Sequence, residues 1–376
     1  MSNKKERNIW LLGSSSFFND FGSEMVALIL PFFITALGGT GLAVGALSGL
    51  REGLASIFKL FGGWYSDRLG KRMPFVFLGY FISLIFRFLL AISVSWQYIL
   101  AFVSLERLGK MRDAPRDAII SVSTKKRGHG FGLQQMLDTS GAILGSLVVL
   151  FLFWKLQLGF KTIIILAGLI SSLALIPLFF VKAPKSKPQK IGLFAGISNL
   201  DKKLKYFIFV AAVFTLANFG LYMFLLLRAK EITGSIIVAL ALGFLFNLVW
   251  ASLTVPFGDL SDKIGRKKVL LIGYSLFFLI SLGFVYFSGL NSLILLFVLY
   301  GLVYAITNAN QTALVSDLSD SMKGTALGFF QFIIGISSIA GGLIAGLLWD
   351  ISYQTMFVYI SVVALVSVIL LLFVKE

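Results

Sequence analysis

The sequence predicts an all-α membrane protein in which twelve transmembrane helices form two six-helix bundles related by pseudo-two-fold symmetry. Two observations carry this prediction. Hydrophobic residues make up 58% of the 376 residues and charged residues only 13%, about half the charged share of a typical soluble chain. In addition, several segments of the first half recur in the second half at a nearly constant offset. Membrane proteins built by duplication carry such internal repeats.

Apolar runs long enough to cross a bilayer, which takes roughly 17–25 residues, occur twelve times. We place the spans at residues 10–37, 42–65, 74–94, 97–123, 131–154, 161–182, 204–229, 235–260, 269–288, 292–317, 322–349 and 353–374. The first run is long and contains Asn19, Asp20 and Glu24, so we expect a retained span and not a cleavable signal peptide.

The polar, proline-containing connector separates six spans from six. We therefore predict an N-terminal bundle (1–182), a cytoplasmic linker (183–203) and a C-terminal bundle (204–376).

Basic residues between the spans and at their ends lie almost all on one side of this topology, with 22 on that side and four on the other. The positive-inside rule then predicts a multi-pass protein of the cytoplasmic (inner) membrane with both termini in the cytoplasm. The same distribution accounts for the net charge of +16, so we expect no nucleic-acid partner. The chain has no cysteine, which excludes disulfides and thiolate metal sites. We expect no cofactor, no metal and a monomer.

A glycine- and charge-rich motif, Gly62–Arg72, lies between predicted spans 2 and 3, where we predict a short polar turn-forming loop. The motif occurs twice. Gly63, Asp67, Gly70 and Lys71 are matched 195 positions later by Gly258, Asp262, Gly265 and Arg266. Spans 1, 4 and 5 also match spans 7, 10 and 11 at offsets of 195 to 198. Positive-inside decoration would explain the cations of these loops, but not the repeated aspartate and glycines.

Twelve spans in two halves, with G-x-x-x-D-R-x-G-x-R loops after spans 2 and 8, resemble the major facilitator superfamily over essentially the whole chain. The resemblance implies secondary transport by alternating access, with the substrate bound between the halves. It also implies that the motif forms a cytoplasmic latch between spans 2, 4 and 11. The gating residues would be Gly63, Asp67, Arg68, Gly70 and Arg72, and in the second copy Gly258, Asp262, Gly265, Arg266 and Lys267.

Fourteen charged residues lie more than two residues from the ends of the predicted spans, all of them in the first half. A lone charge at mid-membrane costs roughly 2.5–3.5 kcal/mol, so these side chains must face a wet cavity or one another. A continuous helix through span 4 would align Glu106, Lys110, Asp113 and Asp117 in one stripe. Around Arg107 the span also resembles the R-x-x-x-G motif of proton-coupled exporters.

The charged residues allow three interpretations. In the first, Asp20 or Glu24 carries a proton and Arg112 or Arg116 modulates it. In the second, the cations bind an anionic substrate or headgroup. In the third, a static ion-pair lattice holds spans 1, 2, 4 and 5 together. The predicted coupling residues are Asp20, Glu24, Arg107, Arg112, Arg116, Asp117 and Asp138.

The second half offers uncharged aromatic and amide side chains, which suit amphipathic ligands. The candidate substrate-binding residues are Asn218, Tyr222, Asn247, Trp250, Tyr300, Tyr304, Asn308 and Gln311. Interhelical packing is the alternative explanation for them.

The sequence thus favours proton-coupled export of an amphipathic or drug-like compound, with the small molecule, protons and the lipid bilayer as partners. An organic-anion or phosphate-ester carrier is the alternative, and a non-transporting receptor or scaffold is the alternative of another class. We expect no enzyme, because no nucleophile motif or metal-ligand cluster is apparent.

Overall fold

A computed structural model describes residues 2–124, 127–182, 188, 197–218, 221–319 and 323–374. In these ranges every regular element is helical. The N-terminal part contains α1 (Ser2–Ala36), α2 (Gly41–Leu69), α3 (Met73–Ala91), α4 (Trp96–Glu106), a 3₁₀ segment (Arg107–Arg112), α5 (Asp113–Ser123), α6 (Arg127–Trp154), α7 (Phe160–Ser172) and α8 (Leu175–Leu178). The C-terminal part contains a 3₁₀ turn (Ile197–Asn199), α9 (Lys202–Asn218), α10 (Leu221–Thr233), α11 (Ile236–Ile264), α12 (Arg266–Tyr286), α13 (Leu290–Asp317), α14 (Lys323–Ile351) and α15 (Tyr353–Leu372). The predicted all-α membrane fold is confirmed.

Ten helical segments of the described chain are long and apolar enough to cross a membrane. The two predicted spans that are absent from this set are spans 2 and 4. Span 2 corresponds to α2, which carries Arg51, Glu52 and Lys59 in its middle, and span 4 contains the densest group of charges in the chain. These two spans are therefore set apart by their charges, although each forms helix over the predicted length.

Span 4 is not the continuous α-helix that the stripe of charges assumed. It is built of α4, the 3₁₀ segment and α5. Pro115 has no N–H to donate to the carbonyl of Met111, which interrupts the α-helical hydrogen-bond pattern at this point. Gly109 also packs directly against α3, since a Cβ there would lie 3.1 Å from Cβ of Ser83. The predicted stripe is therefore wrong, and Glu106 and Asp113 gather separate sets of cations.

The repeated motif is mostly helix and not loop. Helix α2 continues to Leu69 and α11 to Ile264, so only the segments after them turn. Gly70 and Gly265 occupy equivalent positions in the two copies and have φ angles of +66° and +100°. These angles lie in a region that glycine adopts at little cost. The glycines of the motif thus set the turn, while the aspartate and the first cation lie on the last helical turn.

The chain divides into two compact units. One comprises residues 1–38 and 54–193, and the other comprises 39–53 and 194–376. The first half of α2 therefore groups with the C-terminal helices. Most of the predicted linker, 183–203, lies outside the described residues, and the predicted bundle boundaries remain a prediction.

Small residues bring helices together in each unit. In the first unit, α6 meets α1, where a Cβ on Gly141 or on Gly145 would lie 3.1 Å from the carbonyl carbon of Phe17 or Phe21. In the second unit, α14 meets α9, where a Cβ on Gly341 would lie 2.6 Å from the carbonyl oxygen of Leu216. Backbone contact of this kind is a common way to associate helices in a bilayer.

Candidate functional site

Each of the seven cations that lie more than two residues from the ends of the predicted spans has a carboxylate within 4.0 Å. The pairs are Arg51–Glu52, Lys59–Asp113, Arg87–Glu106, Arg107–Glu106, Lys110–Asp113, Arg112–Asp113 and Arg116 with Asp113, Asp117 and Asp138. Of the two expected arrangements, a wet cavity or mutual contact, the structure shows mutual contact for these cations. Mutual pairing offsets the desolvation that a lone charge would suffer in an apolar environment.

Arg116 of α5 is the centre of a buried cluster in the first unit. Its Nη2 lies 2.9 Å from Oδ1 of Asp117, and its Nη1 lies 4.0 Å from Oδ2 of Asp138 on α6. Nη1 also donates to Oγ of Ser16 on α1 at 2.9 Å. Ser16 is in turn 2.9 Å from the hydroxyl of Tyr80 on α3. One guanidinium therefore connects four helices of this unit.

Asp138 is the acid of this cluster that is linked to α1. Gln134, one helical turn before it, donates from Nε2 both to Oδ1 of Asp138 at 2.8 Å and to Oγ of Ser16 at 2.6 Å. Asp138 also lies close enough to Asp20 for their negative charges to interact. Asp20 accepts a hydrogen bond from Nδ2 of Asn19 at 2.9 Å. Of the seven predicted coupling residues, Arg116, Asp117 and Asp138 are thus brought together, with Asp20 near Asp138.

Glu106 is the centre of a second cluster. Its Oε1 lies 2.8 Å from Nη2 of Arg87, and its Oε2 lies 2.5 Å from Nη2 of Arg107. Arg87 also donates to Oγ of Ser171 on α7 and, at 3.4 Å, to the carbonyl oxygen of Asn19 on α1. Arg107 belongs to this cluster, whereas the sequence grouped it with the coupling residues.

Asp113 lies between Glu106 and Arg116 in the sequence and has four cations nearby. Lys59, Lys110, Arg112 and Arg116 all lie within 4.0 Å of its oxygens. Arg112 donates to Oγ of Ser83 at 2.9 Å and places its guanidinium carbon 4.4 Å from the ring centroid of Tyr80. Glu24 is half-buried on α1.

The first copy of the motif connects α2 to span 4. Nη2 of Arg72 lies 3.3 Å from Oδ1 of Asp67, and its Nη1 donates to the carbonyl oxygen of Ala118 on α5 at 3.3 Å. Gly63 packs against the same helix, since a Cβ there would lie 2.9 Å from Cβ of Ala114. Arg68 instead lies over the ring of Trp64, at 5.3 Å.

The second copy makes different contacts. Arg266 lies 3.0 Å from Asp262 and also pairs with Asp317 at the end of α13. These groups line a surface cavity of about 330 Å³. A Cβ on Gly258 would meet no atom within 4 Å. Lys267 donates to the carbonyl oxygens of Leu372 and Val374 at 2.8 and 2.6 Å.

Four of the predicted substrate-binding residues form one aromatic cluster in the second unit. Its centre is Phe246 of α11, whose ring centroid lies 4.7 Å from that of Tyr222, 6.0 Å from Trp250, and 5.2 Å from both Tyr300 and Tyr304. Tyr300 is fully buried, while Trp250 and Tyr304 are partly exposed. The ring centroids of Trp250 and Tyr304 lie 5.4 Å apart.

The other predicted substrate-binding residues are Gln311, Asn247, Asn308 and Asn218. Gln311 donates to the hydroxyl of Tyr274 at 2.8 Å, and the ring of Tyr274 stacks on Phe214 with centroids 3.7 Å apart. Asn247 is buried and Asn308 is exposed. The side chain of Asn218 lies outside the described residues.

Two central residues were absent from the predicted site. Phe246 lies one helical turn before Trp250, so the spacing of the aromatic residues on α11 was the signal that could have found it. Ser16 carried no sequence signal, because a serine in an apolar helix has many uses and only its neighbours Arg116, Gln134 and Tyr80 reveal its place.

Comparisons with known proteins agree with this architecture. The sequence profile of the Major Facilitator Superfamily matches residues 12–320 and 207–376. An uncharacterized MFS-type transporter of Methanocaldococcus jannaschii is 50% identical over 98% of this chain and 95% of its own length. The multidrug resistance protein MdtH of Baumannia cicadellinicola is 24% identical over 87% of this chain and 80% of its own length. The crystal structure of the nucleoside transporter NupG has a similar fold, with a TM-score of 0.80 at 14% identity, covering 97% of this chain and 98% of that one. The chain therefore belongs to the Major Facilitator Superfamily and is a multi-pass secondary transporter of a small molecule and not an enzyme.

Proposed function

We propose that this transporter exports an amphipathic or drug-like compound across the cytoplasmic membrane in exchange for protons, with both termini in the cytoplasm. The observation that carries the proposal is the buried cluster of Arg116, Asp117 and Asp138, with Asp20 beside it. Membrane-embedded acids that pair with a cation in the protein interior are typical of proton pathways. The distant similarity to a protein named multidrug resistance protein MdtH supports a drug-like substrate. One chain carries both the cluster and the aromatic residues, so we propose that the monomer is the functional unit.

Asp138 is the group that we assign to proton transfer. When its carboxylate is ionised, it attracts Arg116 of α5 and accepts from Gln134, which also holds Ser16 of α1. A proton from the outer side neutralises Asp138 and removes its attraction for Arg116, which keeps Asp117 and Asp113 as partners. Proton release to the cytoplasm restores the pair. Protonation thereby changes the contact between α1, α5 and α6, which is where a coupled conformational change can begin.

The aromatic cluster of the second unit supports the choice of substrate. Trp250 and Tyr304 are neighbouring, partly exposed aromatic side chains, and no charged residue of this half lies more than two residues inside a predicted span. Such a surface favours flat apolar compounds with few hydrogen-bonding groups. An organic anion is less favoured, because each interior cation already has a carboxylate partner within 4.0 Å.

Transport by purified protein in proteoliposomes tests the proposal, with ethidium as the amphipathic probe and fluorescein as the anionic one. We expect a pH gradient to drive accumulation of ethidium. Asp138→Asn should abolish accumulation and retain ethidium exchange at equilibrium, and Asp20→Asn should act in the same direction. Glu231→Gln is the control, since Glu231 also pairs with an arginine but is 49% exposed and lies outside the cluster; this variant should retain both activities.

Three outcomes would contradict the proposal. Gradient-driven accumulation by Asp138→Asn at the parent rate would remove its coupling role. Unchanged uphill flux in Asp20→Asn and Glu24→Gln would remove the role of α1. Accumulation of fluorescein but not ethidium would favour the organic-anion alternative.

A further inference from the structure

The first helical turn of α2 is held by a carboxylate that is 309 residues away in sequence. The backbone N–H groups of Gly41 and Leu42 donate to Oδ1 and Oδ2 of Asp350 at 2.6 and 2.9 Å. Asp350 lies at the end of α14 and is exposed. The first amides of a helix have no partner within the helix and carry partial positive charge. Asp350 therefore caps α2 from another helix.

Below this cap, α2 and α14 touch through their backbones. Glycines recur every fourth residue on one face of α2, at Gly41, Gly45, Gly49 and Gly53. A Cβ on Gly45 would lie 2.8 Å from Cα of Gly346, and one on Gly49 would lie 2.8 Å from the carbonyl oxygen of Ser338. Smooth surfaces of this kind pack closely without interlocking side chains, so they can part without repacking of a core.

The repeat supplies a comparison. Helix α11, the counterpart of α2, is capped by its own preceding residue, since Ser235 accepts from the N–H of Val238 at 3.4 Å. The cap of α11 is thus local, whereas that of α2 joins two helices. The start of such a helix can be capped by its own preceding residue, as in α11. A cap supplied by α14 is therefore not required for helix stability, which indicates a further role.

The second half of α2 is attached differently. Residues 54–69 group with the N-terminal unit, where Lys59 pairs with buried Asp113 and Gly63 packs on Ala114. One helix is therefore held at one end by a buried network and at the other by glycine contacts and an exposed carboxylate.

We propose that Asp350 is a positioning residue of the transport cycle, which holds the first half of α2 against α14 and releases it when this end of the pathway opens. Its role depends on alternating access alone and not on the identity of the substrate or on proton coupling. The protein has no cysteine, so single cysteines report the opening without a substrate.

The test places a cysteine at Ser338, which is 1% exposed and faces Gly49. Labelling of Ser338→Cys by a membrane-impermeant maleimide is then measured in proteoliposomes. We expect Asp350→Ala, which removes both acceptors, to raise the labelling rate about fivefold, as loss of a helix cap does to an equilibrium. Asp350→Asn keeps one acceptor and should raise it less. Ser235→Ala, which removes the local cap of α11, should leave the rate unchanged.

Two further cysteines distinguish opening from general loosening. Asn291 is exposed and Ser281 on α12 is fully buried. Asp350→Ala should change the labelling of neither Asn291→Cys nor Ser281→Cys. An unchanged rate at Ser338→Cys would overturn the proposal. An equal rise at Ser281→Cys, or an equal effect of Ser235→Ala, would also overturn it, because either result would indicate a loss of stability alone.

Discussion

Neutralising Glu106 should destabilise the protein more than neutralising Glu52. Glu106 faces Arg87 at 2.8 Å and Arg107 at 2.5 Å, and its side chain is only 11% exposed. Removing one partner of a buried ion pair costs about 3–5 kcal/mol. Here one substitution leaves two arginines without this carboxylate, so we expect Glu106→Gln to lower the free energy of unfolding by about 4 kcal/mol or more.

Denaturant titration in detergent micelles, followed by tryptophan fluorescence, measures this loss. The matched control is Glu52→Gln, because Glu52 is 46% exposed and lies 3.8 Å from Arg51; an exposed pair contributes about 0–1 kcal/mol. Adding Arg87→Gln to Glu106→Gln should recover part of the lost free energy of unfolding, because it removes one of the two arginines that face residue 106. If Glu106→Gln unfolds with the same free energy as Glu52→Gln, the assignment of Glu106 to a structural network is wrong.

Two further predictions concern the motif and the aromatic cluster. Asp67→Asn should shift the conformational balance towards the inward-facing state by at most about fivefold. Nη2 of Arg72 lies 3.3 Å from Oδ1 of Asp67, and Asp67 is 42% exposed, so the ion pair contributes little. Labelling of a cysteine in the cytoplasmic vestibule measures this shift, and an equally closed vestibule would contradict it. Trp250→Ala should raise the KM for ethidium roughly three- to tenfold through the loss of an aromatic contact. The exposed Trp154 on α6 provides the control Trp154→Ala, and equal KM values for the two variants would exclude Trp250 from the binding surface.

The sequence was sufficient for the fold because hydropathy and repetition are properties of whole segments. Twelve apolar runs and a repeat of about 195 residues predict the helices and their order without knowledge of any contact. The motif was predicted as a loop because its polar residues follow an apolar run. In the structure those residues continue α2 to Leu69, and only Gly70 has the backbone angle of a turn.

The candidate site was predicted in part, for a physical reason. Spacing along a helix gives the face of a residue but not its neighbour on another helix. Asp20, Arg116 and Asp138 were all predicted as coupling residues, yet the pairing of Asp138 with Arg116 depends on how α5 and α6 pack. The 3₁₀ segment before Asp113 changed the face of every charge in span 4, and helical periodicity alone could not reveal it.

Span 4 and its counterpart α13 differ at positions that help to explain why one half carries the charges and the other the aromatic residues. At an offset of 195, Pro115 is answered by Asn310, whose main-chain N–H is retained, and α13 runs unbroken from Leu290 to Asp317. Gly109, where span 4 touches α3, is answered by Tyr304 of the aromatic cluster.

Span 4 and α13 also carry polar side chains at matching positions. Arg116 is answered by Gln311, and Tyr80 of α3 by Tyr274 of α12 at an offset of 194. Arg116 reaches Tyr80 through Ser16, and Gln311 donates directly to Tyr274 at 2.8 Å. Both halves therefore keep a polar link between the same pair of spans, but only the first keeps a charge there. Because a glutamine has no carboxylate to attract, protonation can change this link in the first unit alone, which is why we assign coupling to that unit and expect the second to contribute a binding surface.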